Sequence, residues 1–135
     1  FLGLGLHTTR AHLVRAVLEG IAMRVAQVVC AMKEHLQTQP QGIKVDGGLS
    51  ASRVLMQMQS DLLGMPLEVA QDGEATQKGV CYVAALATNL WKDLSEIPSS
   101  QPSAVYRPRT SKQQREVARD RFQRAIQLLQ GWHTP

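Results

Sequence analysis

The stretch that most constrains this chain runs from Gly42 to Arg53, GIKVDGGLSASR. Ile43 and Val45 alternate with the polar Lys44, the period of a short half-buried strand. Asp46 ends that run. Gly47 and Gly48 lack Cβ atoms, so the backbone there can take positive φ and a ligand can approach closely. Ser50 is an N-cap by type, with a hydroxyl able to accept from a free N–H of a first helical turn. Val54, Leu55, Met58 and Leu62 then recur at helical spacing. A strand's carboxyl end, bare backbone and a helix N-terminus meet at one point, which suits an anion and above all a phosphate. Read alone, the pattern also describes an ordinary tight strand-to-helix turn. It is neither the six-residue dinucleotide fingerprint nor a Walker A loop, because no Gly-Lys-Ser/Thr follows.

The flanking sequence arranges helices and strands around this turn. Thr8 or Thr9 caps a long helix reaching to about Gln37, with Val14, Leu18, Ile21, Val25, Val28, Met32 and Leu36 as its apolar stripe. The small residues Ala16, Gly20, Ala22 and Ala26 permit close packing on a neighbour. The helix after the glycine turn ends at Gly64, a natural left-handed cap. Pro66–Ala70 reads as a second strand, residues 71–74 as a turn, and Thr76 leads a third helix through Val80, Val83, Ala84, Ala87 and Leu90. Gly79 within it marks either close backbone contact or a tolerated blemish. Residues 92–110 read as a long loop with Pro98, Pro102 and Pro108. A last helix spans Ser111 to Gln130, with Ala118, Phe122, Ala125, Ile126 and Leu129 on one side and Gly131 as its stop. Helices alternating with short strands predict an α/β fold with parallel pairing. Two strands make a poor sheet, so further strands are expected from another part of a longer chain or from a partner. An initial Phe1 in place of Met points the same way.

Charge and composition narrow the function. The chain of 135 residues is one domain at most, and its 44% hydrophobic content is enough for a real core. Of a net +4, the segment Arg107–Arg124 holds seven Lys/Arg against Glu116 and Asp120, which leaves +5 there and −1 elsewhere. Only Tyr106 and Phe122 accompany it, so it reads as a solvated helix face and not as a nucleic-acid surface. Cys30 and Cys81 form no CxxC motif and suit a reducing, cytoplasmic setting. No stretch approaches the ~20 apolar residues of a membrane span, and Phe1–Leu6 lacks the basic region of a signal peptide. His7, His12, His35 and His133 show no metal-site spacing. His12, near Arg15 and Glu19, reads as a satisfied or exposed side chain. Asp61 reads as a polar edge residue, and Met23, Met32, Met56, Met58 and Met65 as core filling.

Asp46–Ser52 together with Leu55–Pro66 resembles the adenosine-motif segment of the FGGY carbohydrate kinases, most of all the glycerol kinase branch. Arg10–Ala22 is similar to the helix before that motif, and Glu74–Ala87 to the connecting helix at the lobe interface. Leu90–Leu94 and the terminal Tyr106–Pro108 helix fit too, so the similarity spans nearly the whole chain. The resemblance implies the actin-like ATPase fold. Residues 1–135 would be the later, helix-rich part of a ribonuclease-H-like lobe, the C-terminal nucleotide-binding domain. The lobe's first strands and the whole N-terminal domain would lie outside this chain. It implies nucleotide binding by Gly47, Gly48, Leu49, Ser50, Ala51 and Ser52, with the Gly48 N–H meeting phosphate and Ser52 beside adenine. Thr76 and Gly79 would belong to the lobe-interface helix.

The implied cofactors are ATP/ADP and Mg2+, the metal held mainly by residues outside this chain. No catalytic or metal residue is expected within it. In the complete kinase a base on the other lobe would remove a polyol hydroxyl proton, and that oxygen would attack the γ-phosphate in line. The implied partners are nucleotide, a small polyol such as glycerol, and the N-terminal lobe, with self-association of the isolated piece. A non-catalytic interaction module that keeps the lobe's shape is the alternative. Two departures stand out: Ser52 where glycerol kinases commonly carry Asn, and Thr76-Gln77-Lys78-Gly79 where Thr-Ala-Leu-Gly is usual.

Overall fold

The computed structural model describes residues 1–71, 73–98 and 100–130. Gly131, expected to stop the last helix, lies outside them, as do Asp72 of the expected turn and His133. Helix α1 spans Arg10–Glu34 after an extended Thr9, whose N–H donates to His12 Nδ1 at 3.2 Å. It stops short of Gln37 because the N–H groups of His35 and Leu36 turn back to Met32 O and Lys33 O, tightening the final turn.

Strand β1, Ile43–Val45, pairs in parallel with β2, Leu67–Val69, with Ile43 opposite Leu67. The expected loop over residues 92–110 is corrected in one place, where Ala104–Tyr106 forms strand β3 antiparallel to β2. The sheet is thus three-stranded and mixed, in the order β1-β2-β3. Pro102 and Pro108 obscure β3 in the sequence; its pairing comes from the neighbouring β2, not from its own propensity. Helix α2, Arg53–Leu63, and helix α3, Ala75–Ala87, follow β1 and β2 respectively. Helix α4, Lys112–Gln130, starts at a reciprocal cap. There the Gln114 N–H donates to Ser111 Oγ at 3.2 Å, and the Ser111 N–H donates to Gln114 Oε1 at 2.8 Å.

The core lies between α1, α2 and the sheet. Its buried members are Ala22, Ala26, Leu55, Met56, Leu63, Met65, Leu67 and Val69. On α1 the buried seam runs through the small residues, and the expected stripe is displaced. Val14, Val28, Met32 and Leu36 are exposed, while Leu18, Ile21 and Val29 pack at the margin. Alanine lets two helices approach closely, so the seam favours the small side chains over the large β-branched ones. Met32 is consequently not core filling, whereas Met23, Met56 and Met65 are buried. On α2 the buried face is Leu55, Met56, Gln59, Ser60 and Leu63, and Val54 points to solvent. On α3 only Ala85 is buried; Val80 and Val83 stand exposed on it, as does Leu90 just beyond its end.

The carboxyl end of α2 is held by several groups at once. Gly64 adopts φ 70° and returns its N–H to Ser60 O, the left-handed cap that glycine permits without Cβ strain. The Arg115 guanidinium lies against Gly64, and Arg119 Nη2 donates to Leu62 O at 2.6 Å, so cations face the negative helix end. Asp61 does more than sit at an edge. Its Oδ1 accepts from the Arg109 N–H at 2.6 Å, and its carbonyl from Thr110 Oγ1 at 2.8 Å, which ties the segment after β3 to α2. Ser60 is fully buried, with Oγ 3.0 Å from both Met65 O and Tyr106 O. Ser60→Ala leaves those carbonyls without their donor and should lower the unfolding free energy by about 1–3 kcal/mol in a urea titration.

Candidate functional site

Because β1 and β2 are parallel, the connections leaving their carboxyl ends emerge on the same edge of the sheet, the edge where open α/β sheets bind ligands. The connection from β1 is the glycine turn. Gly47 takes φ 96° and ψ 172°, a region nearly closed to residues with a Cβ. Gly48 does not share the positive φ; that freedom is used only at Gly47 within the pair. A single 3₁₀ turn, Gly48–Ala51, intervenes before α2.

This turn corrects the expected cap. Ser50 does not cap α2: its hydroxyl donates to Gly47 O at 2.7 Å and its N–H to the same oxygen at 3.0 Å. Ser52 is the N-cap instead, its Oγ accepting from the Leu55 N–H at 3.3 Å. The glycine turn is longer than the sequence pattern suggests, and the helix begins two positions later, at the next hydroxyl able to serve.

The six expected residues form one continuous corner. Gly47, Gly48, Leu49 and Ala51 are exposed; Ser50 and Ser52 are partly covered. A Cβ built at Gly47 or Gly48 would meet nothing within 4 Å, so open space surrounds the turn. The N–H groups of Gly48 and Leu49 stand at the start of the 3₁₀ turn, where no residue within the turn can accept from them. Open space borders these N–H groups and the N-terminus of α2, the kind of surroundings that favour an anion.

Thr76 and Gly79 lie on α3, Thr76 exposed and Gly79 partly covered. A Cβ at Gly79 would also meet nothing within 4 Å, so close backbone contact there is not made with any described residue. Sequence reasoning missed the part played by Asp46. Its Oδ2 accepts from the Ala75 N–H at 2.8 Å, joining the glycine turn to the start of α3. Only its type, a carboxylate at a strand end, hinted at this; the partner lies 29 residues away.

Fold and corner together define an α/β domain with an exposed glycine turn at the carboxyl edge of a parallel strand pair. The chain belongs to the FGGY family of carbohydrate kinases, whose C-terminal-domain pattern matches residues 1–88. It is 37% identical to "Glycerol kinase 2" of Thermotoga maritima over 97% of this chain and 27% of that protein. It is also 37% identical to the glycerol kinase of Lactococcus lactis, over 96% of this chain and 26% of that protein. The chain therefore spans about a quarter of the length of these relatives. Among solved structures, the Plasmodium falciparum glycerol kinase crystallised with ADP superposes with a TM-score of 0.82 at 26% identity, over 93% of this chain and 25% of that one. A Lactobacillus acidophilus gluconate kinase, at 22% identity and TM-score 0.75 over 96% of this chain and 26% of that one, shares the fold. The fold is that of the actin-like ATPases, present as a helix-rich α/β portion with a small mixed sheet.

The two glycines should separate in a stability test. Gly47→Ala forces a Cβ into a disfavoured conformation and should lower stability by about 1–3 kcal/mol. Gly48→Ala meets open space and should change it by less than about 0.5 kcal/mol. Thermal melts of both variants, without ligand, check the pair.

Proposed function

We propose that this chain is the nucleotide-binding C-terminal portion of an ATP-dependent kinase acting on glycerol or a related polyol. In the complete enzyme the reaction would be glycerol plus ATP giving glycerol 3-phosphate plus ADP. The observation that carries the reading is the exposed Gly47–Gly48 turn, with open space around it at the carboxyl edge of β1. The presence of ADP with the similar Plasmodium falciparum enzyme supports it. When bound, ATP supplies the phosphoryl group. Gly48 and Leu49 would donate N–H bonds to its phosphates, and Ser52, already committed to capping α2, would lie beside the adenine.

Among the described residues no three His, Cys, Asp or Glu side chains gather. Mg2+ is assigned, from the family resemblance, mainly to residues outside this chain, along with the base and the polyol contacts. Thr76 and Gly79 would face the N-terminal lobe across the exposed side of α3. A cytoplasmic setting is proposed from the two unpaired cysteines; among the described residues no helix is long and apolar enough to cross a membrane.

A non-catalytic interaction module is the second reading. It is favoured by Ser52, by Gln77-Lys78, by the exposed Val80 and Val83 on α3 and by the exposed Leu90 just after it. Such apolar exposure should also make the isolated chain self-associate. Stabilisation by ADP in a thermal shift supports the kinase reading, and its absence supports the module.

Three further outcomes are expected under the kinase reading. Gly48→Val should weaken ADP binding by more than about tenfold in calorimetry, because its side chain fills the space the phosphate would use. Wild-type affinity in a folded Gly48→Val protein would sink the assignment. Ser52→Ala should cost about 1 kcal/mol, chiefly through the lost cap. The chain by itself, given ATP, Mg2+ and glycerol, should form no glycerol 3-phosphate above a boiled control.

A further inference from the structure

We infer that Asp46 is a positioning residue that locks the glycine turn to the first turn of α3, so that the two shift as one unit. The effect on affinity rests on the nucleotide reading above; the mechanical link does not.

The bond itself is the first observation. The Ala75 N–H donates to Asp46 Oδ2 at 2.8 Å across two separate strand–helix connections. The second is what α3 lacks. Glu74, at the N-cap position, has φ −126° and ψ 37° and makes no side-chain cap bond. The acceptor that a helix start needs is thus supplied by Asp46, from the end of β1. The other carboxylate oxygen lies 3.7 Å from where a Gly73 Cβ would stand, so Asp46 is seated against the segment leading into α3.

The third observation is where Asp46 sits. It directly precedes Gly47, whose φ of 96° makes it a pivot free of side-chain hindrance. Beyond the pivot, Ser50 holds Gly47 O through both its N–H and its hydroxyl. Before the pivot, the long-range side-chain tie is Asp46 to Ala75. The turn is therefore held by Ser50 on one side and by α3 on the other. Helix α3 buries only Ala85 among its residues, so the core holds it weakly. Any movement of its first turn would pull on Asp46 and re-aim the N–H groups of Gly48 and Leu49. The carboxylate charge also faces the positive end of α3, which offsets its repulsion of a phosphate in the same corner.

The test measures amide hydrogen exchange by mass spectrometry on the full chain without ligand. Asp46→Ala should speed exchange about fivefold in peptides covering residues 75–78, the scale of a lost cap, and by a similar factor in peptides covering 47–52. Asp46→Asn keeps one oxygen acceptor and should restore both segments together. Faster exchange confined to 75–78 in any folded variant would mean that Asp46 is only a helix cap, and the inference fails. If Asp46→Ala does not fold, Asp46→Ser, whose hydroxyl is one bond shorter than the carboxylate and loses the reach to the Ala75 N–H, takes its place against wild type, and the same joint or separate response decides it.

An ADP titration is the second arm. Folded Asp46→Ala should bind about tenfold more weakly than wild type, with Asp46→Asn close to wild type. Unchanged affinity in folded Asp46→Ala overturns the positioning role. A wild-type protein that binds no ADP overturns the nucleotide reading instead, and the exchange arm then judges the link by itself.

Discussion

The structure depends on the burial of helix α2. Leu55, Met56, Gln59, Ser60 and Leu63 are all removed from solvent, and each large apolar side chain so buried contributes roughly 1.5–3 kcal/mol. No other helix is engaged on so many sides. α1 lays Ala22 and Ala26 in the shared core, the sheet contributes Leu67 and Val69, and α4 reaches the carboxyl end of α2 through Arg115 and Arg119. With its axis fixed by the core and its far end by Gly64, the near end of α2 has one position relative to the sheet. That position places the glycine turn, so packing remote from the corner sets where its N–H groups point.

The opposite side of the molecule follows a different rule. α3 begins at the same edge of the sheet but carries little of the core, and its valines face outward. Such a face would be a surface for the further protein that lies outside this chain in the proposed function. Under the proposed function, α3 would connect that surface to the turn that holds the nucleotide. A helix held weakly by its own domain can follow a neighbour at small energetic cost, since local opening is easiest where buried apolar contacts are few.

Much of the fold was legible because it depends on local chemistry. The parallel strands around the glycine turn follow from two short apolar runs separated by a helical pattern, and the Gly64 cap from a glycine at the end of an apolar period. The resemblance carried by Asp46–Ser52 and by the helices flanking it led to the family that the comparison establishes. The errors share one cause. Ser50 and Ser52 are both competent caps, and only the turn's path decides which hydroxyl meets a free N–H. Val54 fits the helical period of Leu55, Met58 and Leu62, yet it is exposed while Met56, outside that expected stripe, is buried, because the neighbours of α2 select its buried face. β3 has three residues between prolines and becomes a strand only because β2 offers its edge.

The sequence by itself determined the order of the four helices and the first two strands, the glycine turn between β1 and α2, and the family to which the chain belongs. Each of these is written in neighbouring residues, through period, caps and backbone freedom. Tertiary structure alone decided that positive φ falls on Gly47 and not on Gly48. It also decided that alanines and not valines line the α1 seam, and that Asp46 supplies the cap of a helix 29 residues away. Those outcomes depend on which groups meet after the chain has folded back on itself. A hydrogen bond or a buried face is chosen there by distance in space, which residue type and spacing along the chain do not encode.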